Sequence, residues 1–354
     1  MRTLARLLAL VPLLVAAAFF AWVVTAPASV SGVAYASSLL LVTAALLFER
    51  TETRRRIRVV GAGLLALTVG SRVAFAEHGR GLRMGTPTEH DARWIDRVID
   101  EEDLAVNGAR MVGWTAFAHD PDVPSLAHVM HVAYARMRAE QGSTPSPVVA
   151  TYIGLEAPGA DDTLEIGDVE HAAGVVVFLH GYAGSFTLPC WVVSRAARDA
   201  GFATVCPSTR WVGDWWSPAG EATLRETVSG LHGRGVREIV LAGLSNGGIG
   251  ASLLAPRMRG TFDGLIVISG ASPEAAAPGV PVLALQGTHD AQISADVVRA
   301  YAGRVDGRYL AFDAGHFAML TREQEMMPAI TSFLRERASR TSTGARTSAR
   351  EVRP

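Results

Sequence analysis

Long apolar stretches dominate the N-terminal part of the chain. Leu7 to Val24 and Val30 to Phe48 contain no charged residue, and each is long enough, at about 1.5 Å per helical residue, to cross a hydrocarbon core about 30 Å thick. We expect two transmembrane helices joined by a short uncharged loop. A cleaved signal peptide is the alternative for the first stretch, but its apolar run exceeds the about 7–15 residues usual for such a signal.

Val59 to Ala76 is a third apolar stretch, interrupted by Arg72 near one end, where the side chain could reach the membrane interface. It forms either a third span or an interfacial or buried helix, so residues 1–76 are expected to be an anchor of two or three helices. Because Lys and Arg favour the cytoplasmic side, we expect the arginine-rich stretch Glu49 to Arg58 to lie inside. Three spans then place the remaining chain outside the cytoplasm, which is the arrangement we expect, whereas two spans place it inside.

Residues 77–147 have the least regular pattern. Apolar residues recur at helical spacing in Asp91 to Leu104 and in Ser125 to Met137, so we expect two helices there. These helices would pack on the following domain or lead into it. We therefore expect an accessory segment that is mainly helical.

A few possible metal ligands occur in this segment. His128 and His131 are three residues apart, and His119 and Asp122 are close to them in sequence. A packed or solvated helix face is the expected role of these side chains, so no metal site is predicted.

From residue 148 onward, short apolar strands alternate with helices of about ten residues. Val148 to Leu155 and Thr163 to Ile166 are expected to form an opening hairpin. The further expected strands are Gly174 to Leu179, Phe202 to Cys206, Glu238 to Ala242, Leu265 to Ser269, Val282 to Gln286 and Tyr309 to Phe312. Such alternation predicts an α/β domain over residues 148–337 whose parallel sheet is covered on both faces. The Ser/Thr/Arg-rich residues 338–354 lack apolar periodicity and are expected to be disordered.

The most informative motif is Gly243 to Gly248 (GLSNGG), which directly follows the apolar strand ending at Ala242. A strand that ends in GxSxG and leads into a segment of small residues is typical of a nucleophile elbow. The turn is so tight that its flanking positions tolerate no side chain. Ser245 is therefore expected at the tip of the turn as a nucleophile.

A serine hydroxyl needs a histidine to accept its proton and a carboxylate to orient that histidine. His316 and Asp290 each follow a predicted strand, and loops at the carboxyl ends of parallel strands meet at one edge of a sheet. We expect Ser245, Asp290 and His316 to act together. Asp313 is the alternative orienting carboxylate, but it lies only three residues before His316.

Two backbone amides are expected to stabilise the oxyanion. One belongs to Asn246, which directly follows the nucleophile at a helix N-terminus, where amide groups are free to bind negative charge. The other belongs to Tyr182 in the turn His180 to Gly184 (HGYAG). The His180 side chain is expected to pack beneath this turn.

The motifs HGYAG, GLSNGG, GTHD and AGH, in this order and each after a strand, resemble the α/β-hydrolase superfamily over about residues 148–337. The resemblance implies a mostly parallel eight-stranded sheet and hydrolysis of an ester, thioester, amide or lactone through an acyl-enzyme. A serine at the elbow differs from the aspartate nucleophile of dehalogenase-like members. The N-terminal apolar stretches are not part of the resemblance.

Many members of the superfamily insert a helical cap between the sixth and seventh strands, but here only Gly270 to Val280 separates them. The chain is therefore similar to compact dienelactone-hydrolase or carboxylesterase members without a cap. Trp211, Trp215 and Trp216 are expected to line the substrate pocket, because they offer apolar surface next to a polar site. The alternative is that they only pack against the accessory helices.

The formal net charge of the chain is −1, so no nucleic-acid partner is predicted. The two cysteines, Cys190 and Cys206, have no metal-binding spacing. They would form a disulfide if the domain is extracytoplasmic, and otherwise be buried free thiols.

Taken together, the sequence predicts a membrane-anchored serine hydrolase that cleaves an ester, thioester or lactone of a small molecule or a lipid, without a cofactor. A peptidase or an acyltransferase of the same fold is the alternative among enzymes. A non-catalytic binding protein that keeps the fold is the alternative outside enzymes. The acyl group and the oligomeric state do not follow from the sequence.

Overall fold

The computed structural model describes residues 2–25, 29–48, 51–76, 81–86 and 91–351. The N-terminal part contains three helices: α1, Arg2–Thr25; α2, Val30–Ala44, continued by a 3-10 turn at Ala45–Leu47; and α3, Thr51–Phe75. Within the described residues, Val30–Leu47 and Thr51–Phe75 are long and apolar enough to cross a membrane, and Leu10–Thr25 is a shorter apolar helix. The third helix begins at Thr51, earlier than the predicted Val59, because the arginine-rich stretch is helical too.

Polar contacts hold two of these helices to the following segment. The backbone N–H and the hydroxyl of Ser29, at the start of α2, donate to the carboxylate of Asp103 at 2.8 and 2.7 Å. Arg72, in the last turn of α3, donates to the Ser143 hydroxyl at 2.8 Å. The start of α2 and the end of α3 therefore lie on the side of the following domain.

Where the structure describes it, the segment after α3 contains one β-strand and several helices. The helices are a 3-10 turn at Trp94–Arg97, α4 at Glu101–Val112, a 3-10 turn at Ala116–His119, α5 at Val123–Gln141 and α6 at Val148–Ile153. The helix predicted from Ser125 to Met137 is confirmed within α5. The helix predicted from Asp91 is wrong at its start, because α4 begins only after Asp100, whose side chain accepts the Glu102 N–H at 3.2 Å and caps the helix.

In the residues that the structure describes, eight strands form a single sheet. They are β1, Leu82–Gly85; β2, Thr163–Ile166; β3, Gly174–Leu179; β4, Phe202–Pro207; β5, Ile239–Leu244; β6, Gly264–Ile268; β7, Val282–Gly287; and β8, Arg308–Phe312. Their order is β1-β2-β4-β3-β5-β6-β7-β8, with β1 antiparallel to β2, β2 antiparallel to β4, and all other pairs parallel. The prediction of a mostly parallel eight-stranded sheet is confirmed.

The predicted opening hairpin is wrong. Residues 148–153 form helix α6, which ends at Gly154 with a φ of 76°. Val148 and Ala150 are buried while Tyr152 and Ile153 are exposed, so only the first part of this helix is covered by the protein. The partner of β2 is instead β1, which lies in the segment expected to be accessory and helical.

Helices cover both faces of the sheet. After β3 they are α7, Thr187–Asp199; α8, Pro218–Gly233; α9, Asn246–Leu254; α10, Ala295–Arg304; α11, Ala318–Thr321; and α12, Glu323–Glu351. Alternate residues of β3 enter two separate cores: Phe178 packs in the cluster that includes Trp191 of α7, and Val177 in the cluster that includes Leu224 of α8. The last helix continues to Glu351. The expectation of a disordered tail over residues 338–354 stays a prediction, and residues 352–354 lie outside the described residues.

The first helical segment after the membrane-length helices is built into this fold by a buried carboxylate. Glu101 accepts the backbone N–H groups of Thr187 and Leu188 at 2.7 and 3.0 Å, and the Tyr134 hydroxyl donates to it at 2.7 Å. It thereby caps the N-terminus of α7. Burial raises the pKa of Glu101, and the hydrogen bonds from its partners oppose that rise.

Cys190 in α7 and Cys206 in β4 form a disulfide. Of the two alternatives left open by the sequence, the structure therefore has the bridge. It joins a helix to the strand that follows it, next to the strand β3 that leads into the HGYAG turn.

Candidate active site

Ser245 occupies a strained turn between β5 and α9, with φ 55° and ψ −119°. A Cβ at Gly243 would lie 2.2 Å from the Gly247 carbonyl oxygen, and one at Gly247 would lie 2.0 Å from the Leu179 carbonyl oxygen. Neither position can therefore hold a side chain. The glycines let strand, turn and helix approach closely enough to present the partly exposed Ser245 hydroxyl at the carboxyl edge of the sheet.

The structure brings Ser245, His316 and Asp290 into one hydrogen-bonded chain. Ser245 Oγ lies 2.9 Å from His316 Nε2, and His316 Nδ1 lies 2.8 Å from Asp290 Oδ2. Because a carboxylate can only accept, Nδ1 carries the proton of the imidazole in its neutral form, and in that tautomer Nε2 can accept from the serine hydroxyl. This is the arrangement in which a histidine can accept the serine proton.

The Asp290 carboxylate is buried, and both of its oxygens accept hydrogen bonds. Burial favours its neutral form, but hydrogen bonds from His316 and from the backbone N–H groups of Ile293 and Gln292, at 2.9 and 2.8 Å, hold the pKa of Asp290 below its ordinary value. The Gln286 side chain also donates to Oδ2 at 2.7 Å. The carboxylate is therefore charged and fixed in orientation beside the imidazole.

The alternative carboxylate, Asp313, lies elsewhere. Its side chain is 85% exposed, and its Oδ1 is 3.1 Å from Nε2 of His289. Asp313 and His289 thus form an exposed surface pair, and the structure places Asp290 against His316.

Two phenylalanines flank the His316 ring. The ring centroid of Phe317 is 5.6 Å away in an edge-on arrangement, and that of Phe117 is 5.7 Å away. Phe117 belongs to the 3-10 turn at Ala116–His119, far from His316 in sequence. Sequence reasoning assigned no role to either ring, because the contact depends on how the accessory segment folds back.

Two further carboxylates hold the backbone of the His316 loop, although the sequence indicated no role for Asp120 and only a packed or solvated helix face for Asp122. Asp120 accepts the His316 N–H at 2.7 Å, and Asp122 accepts the N–H groups of Gly315 and Phe317 at 2.9 and 3.0 Å. The sequence signal was an acidic pair in the turn before α5, which alone favours a helix cap.

The residues expected to donate to an oxyanion adjoin Ser245. Asn246 is the first residue of α9, so its N–H is among those that have no acceptor within the helix. Gly181 packs on the elbow, since a Cβ there would lie 3.0 Å from Ser245 Cβ, and Tyr182 is the next residue. The roles of both amides stay predictions.

The three tryptophans expected to line the pocket differ in position. Trp215 is fully buried and its indole N–H donates to the His180 carbonyl at 2.9 Å, so its ring supports the HGYAG turn and lines no open pocket. Trp211 is 40% exposed, with its ring 5.1 Å from that of Tyr182. Trp216 is 38% exposed, and its part in a pocket stays a prediction.

The histidines of the accessory segment do not converge. His131 Nδ1 lies 2.6 Å from Glu102 Oε1, and His119 and His128 are exposed. In the part of the chain that the structure describes, no three His, Cys, Asp or Glu side chains are arranged to hold a metal ion.

His180 is buried beneath the HGYAG turn, as expected. Its Nδ1 lies 2.8 Å from the Gly181 carbonyl, and its Nε2 accepts the Thr209 N–H at 3.2 Å. Burial lowers the pKa of His180 to about 4, although the hydrogen bond to the Gly181 carbonyl favours the proton. The ring is therefore neutral, and protonation would set an Nε2–H against the Thr209 N–H.

This predicts an acid-sensitive fold. In the unfolded chain His180 binds a proton below pH about 6.5, but in the folded protein only near about 4, so stability is full above this window and falls as pH drops through it. The His180 share of the loss is up to about 3 kcal/mol in the free energy of unfolding. Unfolding of wild type and His180→Gln across this range measures it. The variant should lose stability less steeply with acid, and equal slopes would contradict the assignment.

No family model and no curated protein matches the sequence. Similar solved structures include Est1E from Butyrivibrio proteoclasticus, with 14% identity over 51% of this chain and 96% of that one and a TM-score of 0.43. They also include the esterase Pf2001 of Pyrococcus furiosus, with 14% identity over 51% of this chain and 90% of that one and a TM-score of 0.41. A third is XC6422 from Xanthomonas campestris, an α/β serine hydrolase without a lid, with 18% identity, 51% and 91% coverage and a TM-score of 0.42.

The architecture of the chain itself matches the fold that the sequence motifs imply. The strand order places β3 and β5 side by side, the serine turn joins β5 to α9, and only residues 269–281, without a helix, connect β6 to β7. The chain thus has an α/β-hydrolase fold without a cap between its sixth and seventh strands, preceded by apolar helices.

Proposed function

We propose that this protein is a membrane-anchored serine hydrolase that cleaves a carboxylic ester through an acyl-enzyme. The observation that carries the proposal is the chain of contacts from Ser245 Oγ to His316 Nε2 and from His316 Nδ1 to Asp290. These groups come from three separate loops at one edge of the sheet. A merely structural role would not require a strained serine turn aimed at an imidazole nitrogen.

In the proposed reaction Ser245 Oγ attacks the carbonyl carbon while its proton passes to His316 Nε2. The resulting imidazolium is stabilised by the Asp290 carboxylate, which stays ionised. Collapse of the tetrahedral intermediate breaks the ester C–O bond, and the leaving alcohol takes the proton from His316. Water then attacks the acyl-enzyme with His316 again accepting a proton, which releases the acid and restores Ser245.

The backbone amides of Tyr182 and Asn246 are the proposed oxyanion donors. The Asn246 amide lies at the positive end of α9, where the helix dipole favours a developing negative charge. The Asn246 side chain donates to the Val212 carbonyl at 2.8 Å, which ties the turn after Ser245 to the tryptophan-bearing loop. This bond supports a fixed position for the amide before substrate binds.

The surroundings of the site favour an apolar acyl or alkyl group. Phe117 and Phe317 lie beside the His316 ring, and Tyr182 and Trp211 pack edge-on beside the elbow. Aromatic faces near a few polar groups are typical of pockets that bind apolar substrates. A small-molecule ester or a lipid ester would satisfy this chemistry.

Membrane attachment is supported by the N-terminal helices. Leu14 on α1 and Leu67 and Phe75 on α3 are 64%, 70% and 75% exposed, so these apolar side chains are not covered by the protein. Exposed apolar faces of this length suit a lipid environment. The arginine-rich start of α3 and the disulfide favour a cytoplasmic loop and an extracytoplasmic catalytic domain.

Ser245→Ala is expected to abolish both ester hydrolysis and labelling by a fluorophosphonate, which reacts with an activated serine. The variant should fold, because the change only removes the hydroxyl. In-gel fluorescence of the labelled protein and release of p-nitrophenol from p-nitrophenyl esters measure the two effects. Ser229→Ala, on the exposed face of α8, is the matched control and should keep both. Labelling that persists without Ser245 would refute the assignment.

The side of the membrane is tested on intact cells that make the protein. A membrane-impermeant fluorophosphonate should label it as fully as a permeant probe does, because the site is proposed to face outward. If the impermeant probe labels the protein only after the cells are permeabilised, the orientation is reversed.

A further inference from the structure

Asp120 and Asp122 lie in the turn between the 3-10 turn at Ala116–His119 and helix α5, and both are buried, at 1% and 6% exposure. Asp120 Oδ2 accepts the His316 N–H at 2.7 Å and faces the Ala291 N–H at 3.5 Å. Ala291 directly follows Asp290. One carboxylate therefore contacts both the histidine loop and the loop of its orienting aspartate.

Asp122 completes the hold on the histidine loop. Its Oδ2 accepts the N–H groups of Gly315 and Phe317 at 2.9 and 3.0 Å, and its Oδ1 accepts the Thr321 hydroxyl at 3.1 Å. Three consecutive backbone N–H groups thus end on two carboxylates from a segment about 195 residues earlier in the chain. Such charge-assisted bonds are short and directional.

Asp120 packs closely against the backbone of the His316 loop. A Cβ at Gly315 would lie 1.9 Å from Asp120 Oδ1, so the carboxylate occupies the space that a side chain would need. Asp122 precedes α5 as its N-cap residue, yet its side chain makes no capping bond with that helix. The Asp122 carboxylate therefore serves the histidine loop and not the helix that it precedes, whereas Asp120 binds both the loop and the Asp122 N–H of its own segment.

We propose that Asp120 and Asp122 are positioning residues that fix His316 at its distance from Ser245 and Asp290. This role rests on the proposed hydrolase function. They touch neither the substrate nor the reacting atoms, and they act through the backbone that carries His316. A displacement of about 1 Å at a reacting group can cost about 100-fold in rate, so loss of this hold should lower turnover more than binding.

The two aspartates differ in how they should respond to replacement by asparagine. Both oxygens of Asp120 accept backbone N–H groups: Oδ1 accepts that of Asp122 at 3.0 Å, and Oδ2 accepts that of His316. In an asparagine at this position, the side-chain NH2 would therefore face one of these two N–H groups. Asp122 accepts both loop N–H groups through one oxygen, and its other oxygen faces a hydroxyl that can also accept. Asn should therefore substitute well at 122 and poorly at 120.

The test compares Asp120→Asn, Asp122→Ala and Asp122→Asn in the full chain, with the exposed Asp296→Asn as the matched control. The probes are a fluorophosphonate, for the labelling rate, and a p-nitrophenyl ester, for kcat and KM, each referred to the folded fraction from thermal unfolding. Asp120→Asn and Asp122→Ala should lose about 10–100-fold in kcat and in labelling rate, with KM within about 2-fold of wild type. Asp122→Asn should recover most of the activity lost in Asp122→Ala.

Several results would overturn the proposal. These are wild-type kcat in folded Asp120→Asn or Asp122→Ala, a loss that appears only in KM, or an equal loss in Asp122→Asn and Asp122→Ala. If Asp120→Asn does not fold, the comparison of Asp122→Ala with Asp122→Asn still tests the proposal. A wild-type protein that neither labels nor hydrolyses the ester would refute the proposed function and this role with it, whereas variants that match an active wild type would refute this role alone.

Discussion

The site depends on how closely the turn around Ser245 can approach its neighbours. The main-chain oxygens of Leu179 and Gly247 occupy the places where side chains on Gly247 and Gly243 would stand. Only because both positions are glycine can α9 start directly against the end of β3, with the strained Ser245 backbone between them. The HGYAG turn then lies beside the serine, and His316 and Asp290 reach it from the ends of neighbouring strands.

A second constraint comes from buried carboxylates of the segment that follows the N-terminal helices. Glu101 caps α7, and Asp120 and Asp122 hold the backbone on either side of His316. The same segment contacts the apolar helices, because Arg110 of α4 donates to the Trp22 carbonyl at 2.9 Å and lies over its ring. The segment therefore contacts both the apolar helices and the α/β domain. Residues outside the region that resembles hydrolases hold the backbone that carries His316.

The sequence predicted those features that local pattern determines. The six strands from β3 onward are mainly apolar, and Ser245, Asp290 and His316 each follow one of them, so their convergence at one sheet edge could be expected. The structure adds the contact itself: Asp290, the carboxylate expected from the sequence, meets His316, whereas the alternative Asp313 lies exposed on the surface. Burial of Trp215 depends on the packing of a loop on the HGYAG turn and could not be foreseen from composition.

Prediction was poorest before residue 163. Val148 to Ile153 has strand-forming residues but forms a helix. Val148 and Ala150 are buried in it, whereas Tyr152 and Ile153 are exposed. Strand β1 has just four residues and is defined by its pairing with β2, which follows about 80 residues later. The local sequence therefore does not predict this strand. Asp122 resembles a helix cap in sequence, and only the tertiary structure directs its carboxylate to the His316 loop.

The central claim is that Ser245 is an activated nucleophile, and the most direct measurement is to locate the adduct that a fluorophosphonate leaves on the intact protein. Proteolysis and tandem mass spectrometry identify the modified residue. The account predicts a phosphonyl group on Ser245 when the folded protein is labelled. It predicts no such group when the protein is heat-denatured before the probe is added. An unmodified Ser245, or an adduct on a different residue, would contradict it.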